Sequence, residues 1–430
     1  MSVTPVRVGL LGCGNVGAAL VTLLAEQRDE IAARSGVDLT IGRIAVHSTT
    51  RDRGIDVDPS VYTTDAAAVV ADPDVDIVVE VIGGIEPARS LVLASLAAGK
   101  PVITANKELL ANHGAELYDA AAAAGVDLLF EAAVAGAIPL VRPLRESLIG
   151  EPISRVMGIV NGTTNYILSQ MAEHGVSYEA ALSEAQSLGY AERDPTADVE
   201  GYDAGAKAAI IATIAFGTRV VAGDVYHEGI SAVTGADIAF AQRLGYAIKL
   251  LAIAEHLGDQ DGMPLVAVRV HPAMIPVAHP LASVRDSFNA VFIEGGAAGE
   301  LMFYGRGAGG RPTASAVLGD LIDAATNSLT GATDRIGALV PARIQPIDEI
   351  ESAYYLNVEV TDEPGVLATV AGIFGRHKVS IRSMEQEGLG ADARIVFITH
   401  AARERDMQAT LAELRSLDSV HRIGSMLRGA

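Results

Sequence analysis

The sequence predicts an α/β protein: an N-terminal doubly wound parallel sheet of Rossmann type, an α+β module after it, and a C-terminal ferredoxin-like βαββαβ module. Through the first 150 residues short apolar runs alternate with helical patterns, the arrangement of βαβ units around a parallel sheet. Gly12-Cys-Gly-Asn-Val-Gly17 falls between the first apolar run and the first helical pattern, where a glycine trio has structural meaning. The last eighty residues run strand–helix–strand–strand–helix–strand, the split-βαβ order.

Taken in order, strands are expected over 6–11, 41–46, 77–81, 102–104 and 127–130, with helices over 17–26, 65–71, 86–98 and 107–124. Residues 1–150 thus form a dinucleotide-binding domain, whose sheet edge residues 310–335 are placed to complete. A substrate-binding, catalytic and dimerisation domain follows over 151–335. It holds a strand at 153–159, an amphipathic helix at 165–173, a long apolar helix after Gly201 and another helix over 236–257. Extended segments at 265–270 and 290–294 precede a closing helix near 314–330. Residues 336–351 contain Pro341 and Pro346 and no helical period, and so read as a linker. In the last module, 352–430, strands are expected at 354–360, 379–386, 393–400 and 420–426, with helices at 366–377 and 405–417.

Composition narrows the function classes. Half of the 430 residues are hydrophobic and only 20% are charged, which implies ordered domains with real cores. A net charge of −21 argues against nucleic acid or an anionic membrane as partner. The single cysteine, Cys13, excludes an intramolecular disulfide. The first residues lack a signal-peptide pattern, and no apolar run reaches membrane-spanning length, so a cytoplasmic protein is expected.

In the fingerprint, Gly12 permits the tight turn, Gly14 lets backbone approach a pyrophosphate, and Gly17 lets helix pack on strand. The amides of Asn15 and Val16 open the helix and would face the phosphates. After the second strand comes His47-Ser-Thr-Thr-Arg51-Asp-Arg53, hydroxyls and an arginine before any acid. An acid there would bind the ribose 2′-hydroxyl and repel a 2′-phosphate, so NADP(H) is favoured, NAD(H) stays open, and Ser48, Thr49 and Arg51 are candidate phosphate contacts. Each of these residues alone reads equally well as solvated loop. Gly83 ends the next strand with Gly84, leaving room for a cofactor. Lys107 lies beyond the C-terminal end of a parallel strand, the edge where ligands bind, in a first helical turn that disfavours a surface cation.

Glu131-Ala-Ala-Val134-Ala-Gly136-Ala-Ile138 ends a further strand with small residues, and inward-bent carbonyls there would suit a monovalent cation as readily as a plain turn would. Scattered histidines show no metal-ligand spacing. The densest chemistry is the 185–207 run, with five acids among its turns and Lys207 at its end. Asp203 and Lys207 stand one helical turn apart, and their face continues through Ile210, Ile211 and Ile214. A lysine in that apolar stripe needs a partner or a task, and the run therefore marks a buried site.

Together these residues resemble the homoserine dehydrogenase family. The 185–207 run matches its signature, and Asn161-Gly-Thr-Thr-Asn-Tyr166 is similar to a second recurrent motif. The last eighty residues resemble an ACT domain, with Asp362-Glu-Pro-Gly365 at the first strand–helix turn. The resemblance implies NAD(P)H-dependent, reversible reduction of L-aspartate 4-semialdehyde to L-homoserine. It implies that Lys207 is the proton donor, that Lys107 touches cofactor and substrate, and that Glu192 and Asp203 hold the amino acid with Asp198 in support. It places sodium on the backbone oxygens of Glu131, Val134, Gly136 and Ile138, and cofactor contacts at Gly189 and Gly309. An amino-acid effector, threonine, is expected to act through the ACT domain, and removal of 352–430 to leave an active, threonine-insensitive enzyme. A homodimer or homotetramer is expected. Two competing readings are a dehydrogenase acting on aspartate and a non-catalytic sensor of NADP(H) and an amino acid.

Overall fold

The computed structural model describes residues 3–334, 336–388 and 391–430. The chain divides into two units, one of Met1–Val156, Ala206–Val225 and Asn289–Ala342, the other of Met157–Gly205, Tyr226–Phe288 and Arg343–Ala430.

The first unit is built on strands β1 (Thr4–Leu11), β2 (Val37–Ala45), β3 (Tyr62–Thr63), β4 (Ile77–Glu80), β5 (Val102–Thr104) and β6 (Leu128–Leu129). They pair in parallel in the order β3-β2-β1-β4-β5-β6, the doubly wound arrangement expected from the alternating pattern. Crossover helices are α1 (Asn15–Ser35), α2 (Ala66–Ala71), α3 (Ala88–Ala97) and α4 (Lys107–Ala124). Residues 310–330 do not extend the sheet edge. They form a helix, Gly310–Thr330, whose apolar positions Ala314, Val317, Leu318, Leu321, Ala324 and Ala325 repeat at helical spacing. That stripe joins Leu20, Leu24, Val8 and Leu10 in one core, so the helix packs beside α1 over the sheet.

The second unit carries helices Gly162–His174, Tyr178–Ser187 and Gly235–Arg243, and two long antiparallel strands, Tyr246–Gln260 and Met263–Pro276. The helix expected over 236–257 is therefore wrong in its second half. Gly245, at φ 79, stops it, and the run Ile248–Ala254 is buried at every position as a strand covered on both faces. A continuous apolar run does not reveal its period, which is why the sequence misled here.

The C-terminal strands Tyr354–Thr361, Ile381–Gly388, Asp392–Thr399 and Val420–Gly429, with helices Val366–Arg376 and Glu404–Leu414, follow the expected βαββαβ order. The last strand also pairs with Met263–Pro276 through Ala273 and Arg428, so this module belongs to the second unit. Arg428 is 0% exposed and grips two carboxylates, Glu228 at 2.7 Å and Glu404 at 2.7 Å. Part of the expected linker is also paired: Val340–Pro341 with Thr218–Arg219 in the first unit, and Arg343–Ile344 with Leu265 and Val266 in the second. Among the described residues no helix is long and apolar enough to cross a membrane.

Candidate functional site

Two of the three fingerprint glycines, Gly12 and Gly17, are required by their surroundings. A Cβ on Gly12, at φ 96, would lie 2.7 Å from the Val81 carbonyl oxygen, and one on Gly17 would lie 2.6 Å from that of Gly12. A Cβ on Gly14 would meet nothing within 4 Å, so this position faces open space. The α1 helix starts at Gly14 without a side-chain cap, which leaves its first N–H groups for an anion.

That open space is a cavity of about 340 Å³ within the first unit. Gly14, Asn15, Val16, Gly83, Lys107 and Lys207 line it, six sequence-predicted residues brought together from four parts of the chain. Lys107 opens α4, whose cap Asn106 accepts from the Leu109 N–H at 3.0 Å and donates to the Gly84 carbonyl at 2.6 Å. Lys207 is 9% exposed, on helix Tyr202–Phe216, where Ala208–Ala212 are all buried. Gly136, Gly307 and Ala308 form another part of the wall, and Gly309, at φ 124, caps the helix behind it rather than lining it.

Glu80 organises this edge and was not singled out from the sequence. It is fully buried, and its carboxylate accepts from the N–H groups of Ile82 and Gly83 and from the Thr104 hydroxyl. The available signal was an acid closing the apolar run Ile77–Glu80. Ser48 and Arg51 are exposed on the loop after β2 and do not line the cavity. Arg53 turns inward instead, donating to the carbonyls of Cys13, Arg51 and Ser48 and lying over the Tyr62 ring. It fixes the loop that carries Ser48 and Arg51.

The 131–138 turn lies against the same cavity through Ala132, Ala133, Ala135 and Gly136. Ala135 and Gly136 are both left-handed, at φ 57 and 58, and a Cβ on Gly136 would sit 2.3 Å from the Gly307 carbonyl oxygen. The Glu131 side chain accepts from the N–H groups of Leu140, Val141 and Arg142. With that carboxylate engaged, a cation here would be left to backbone carbonyls, hard oxygen donors that suit a monovalent ion. The Glu131 N–H is held by Asp320 at 2.7 Å, and burial pushes the Asp320 carboxyl up to about 7. Among the described residues no three His, Cys, Asp or Glu side chains cluster as a metal site.

The second unit assembles the acids. The Asn161 amide donates to Asp198 at 2.7 Å and to Asp203 at 2.9 Å. Its other end, Oδ1, accepts from the Thr164 N–H at 2.9 Å and so caps helix Gly162–His174. The loop above is tied down by Thr163, whose hydroxyl donates to the Tyr190 carbonyl, and by the paired rings of Tyr166 and Tyr190. Gly189, at φ 77, makes the turn that ends helix Tyr178–Ser187. Glu192 is exposed, and the Gln186 side-chain amide donates to its backbone carbonyl at 3.0 Å.

Comparison with known proteins divides the chain into three consecutive segments. Residues 12–131 match the family described as homoserine dehydrogenase, NAD binding domain, 139–322 match homoserine dehydrogenase, and 354–419 match the ACT domain. A homoserine dehydrogenase of Corynebacterium glutamicum is 53% identical over 426 residues, covering 98% of this chain and 95% of that one. The crystal structure of a homoserine dehydrogenase from Thiobacillus denitrificans superimposes with a TM-score of 0.93 at 40% identity, covering 100% and 99% of the two chains. A hyperthermophilic archaeal homoserine dehydrogenase in complex with NADPH gives a TM-score of 0.64 at 29% identity, covering 75% of this chain and 98% of that one.

Proposed function

We propose, starting from the premise that this chain belongs to the homoserine dehydrogenase family, that Lys207 is its proton donor. The chain is an NAD(P)-dependent oxidoreductase acting on a CH–OH group, interconverting L-aspartate 4-semialdehyde and L-homoserine. That assignment displaces the sensor and the aspartate-acting readings.

When bound, the nicotinamide supplies hydride to the aldehyde carbon. The oxygen of that carbon becomes an alkoxide, which the Lys207 ammonium stabilises and then protonates. Lys107, at the positive end of α4, adds a second cation for the substrate carboxylate or the cofactor. Asp203 and Glu192 take the substrate α-ammonium, and Asp198 supports Asp203 through the shared Asn161 amide. The observation that carries the reading is a buried lysine in the wall of the cavity that the fingerprint glycines open. Replacing it tests the reading: Lys207→Ala should lower kcat by about 10²–10⁴-fold while NADPH affinity, read by fluorescence titration, stays near that of the unchanged chain. Wild-type turnover in that variant rejects the assignment.

NADP(H) is the favoured cofactor in this reading, through Ser48 and Arg51, because no acid precedes them after β2. Sodium on the carbonyls of Glu131, Val134, Gly136 and Ile138 would stiffen the turn beside the cofactor. Threonine is the proposed effector, held where Asp362-Glu-Pro-Gly365 leads into helix Val366–Arg376. A cytoplasmic homodimer or homotetramer completes the proposal.

A further inference from the structure

We propose that Lys249 is a positioning residue for this reaction: it pins Asn165, and with it the first turn of helix Gly162–His174, so that Asn161 stays between Asp198 and Asp203. The inference rests on the reading of those two carboxylates as substrate-holding groups.

Lys249 lies on strand Tyr246–Gln260 and is 5% exposed, in the wall of a cavity of about 230 Å³ with Ser169, Gln242 and Arg285. Its ammonium donates to Asn165 Oδ1 at 3.0 Å and to the Val284 carbonyl at 2.5 Å. A buried ammonium held by neutral oxygens is an expensive arrangement, and one that a simple apolar side chain would relieve unless the contacts are needed. What the contacts do is close a ring. The Asn165 amide donates to the carbonyls of Val284, Asp286 and Phe288, which draws the 284–288 loop onto the helix. That loop is under strain, with Asp286 at φ 52. It also presses on the helix start, since a Cβ on Gly162 would lie 2.6 Å from the Ser287 carbonyl oxygen. Gly162 adjoins Asn161, the residue that caps the helix and bridges the two acids. Strand, loop, helix start and acid bridge are therefore joined through one amine.

Without the amine, Asn165 Oδ1 and the Val284 carbonyl lose their donor inside the unit, and the strained loop has less to hold it. The acid bridge should then tilt, which weakens capture of the substrate amine more than it alters the hydride or proton step. Lys249→Met should raise KM for aspartate semialdehyde about tenfold, with kcat and NADPH affinity nearly unchanged. Lys249→Arg should restore most of the affinity, because the neighbouring cavity has room for a guanidinium. A folded Lys249→Met enzyme with a lower melting temperature but wild-type KM overturns the proposal, since that is what a purely structural lysine gives. If Lys249→Met does not fold, Asn165→Ala severs the same link, and an unchanged KM there overturns it equally. Asp203→Asn separates the two levels of inference. If Asp203→Asn leaves KM alone, the substrate reading itself fails. If it raises KM and Lys249→Met does not, only the role of Lys249 falls.

Discussion

The two units each bury a lysine beside a cavity, and the proposals above give the two amines opposite tasks. Lys207 stands on a helix, in the wall of a cavity floored by glycines and alanines that leave space before it. Lys249 stands on a strand, its amine already committed to an amide and a peptide carbonyl, and burial draws it down to about 8. A lysine that reacts needs room for a partner that comes and goes. A lysine that holds structure fills its hydrogen-bonding capacity with fixed oxygens. Burial alone, 9% against 5% exposed, does not tell them apart; the proposed roles rest on what surrounds each side chain.

Exchanging each lysine for arginine breaks the comparison most directly. Arginine keeps the charge and the donors but does not release a proton near neutral pH. Lys207→Arg should therefore lose about 10²–10³-fold in kcat, whereas Lys249→Arg should turn over at close to the normal rate. Steady-state kinetics of both variants in one assay is sufficient. Equal losses at the two positions erase the distinction between them.

A smaller effect separates the cavities by shape. At Gly136 an added methyl meets the Gly307 carbonyl at 2.3 Å, and the residue is left-handed. Gly136→Ala should cost on the order of 3 kcal/mol in stability and weaken NADPH binding, because it pushes the 307–308 wall out of place. Affinity for the amino-acid substrate, whose proposed ammonium-holding acids Asp203 and Glu192 lie in the second unit, should change less. Denaturant melts and separate KM values for the two substrates check this.

Much of this was legible in the sequence, and what escaped did so for physical reasons. The glycine fingerprint shows because Gly12 and Gly17 answer local demands of one turn, and the shared helix of Asp203 and Lys207 shows because the apolar run after Gly201 has helical spacing. Lys249 was hidden, since the apolar run around it fits a helix or a buried strand equally well, and its partner Asn165 lies 84 positions away. Glu80 and Arg53 were hidden differently: each serves backbone groups of distant or neighbouring loops, which no side-chain pattern announces. The C-terminal module was read correctly in its elements but not in its attachment. Arg428 buries its charge between Glu228 of the substrate module and Glu404 of its own, and Tyr355 donates to Asp237. Cutting the chain at 352 would strand Glu228 and open the edge of strand Met263–Pro276, so substitutions at Asp362 probe regulation more cleanly than the truncation does.

The finest test of the contrast uses pH, because each unit holds a buried group displaced in the opposite sense. Burial raises Asp320, behind the 131–138 turn, from 3.8 to about 7. Between those values the folded chain binds the proton that the unfolded chain has lost, so stability falls as pH rises from about 4 to about 7. Burial lowers Lys249 from 10.5 to about 8, with Glu173 and Asp286 opposing the shift and Arg285 reinforcing it. Here the unfolded chain binds the extra proton, so stability rises as pH climbs from about 8 towards 10.5. Asp320→Asn should flatten the acid-side slope and Lys249→Met the alkaline-side slope, each by at most about 3–4 kcal/mol across its window, read from urea melts at a series of pH values. If Lys249→Met leaves the alkaline slope as it was, the amine is not a desolvated, structurally held group, and the two lysines differ less than their surroundings imply.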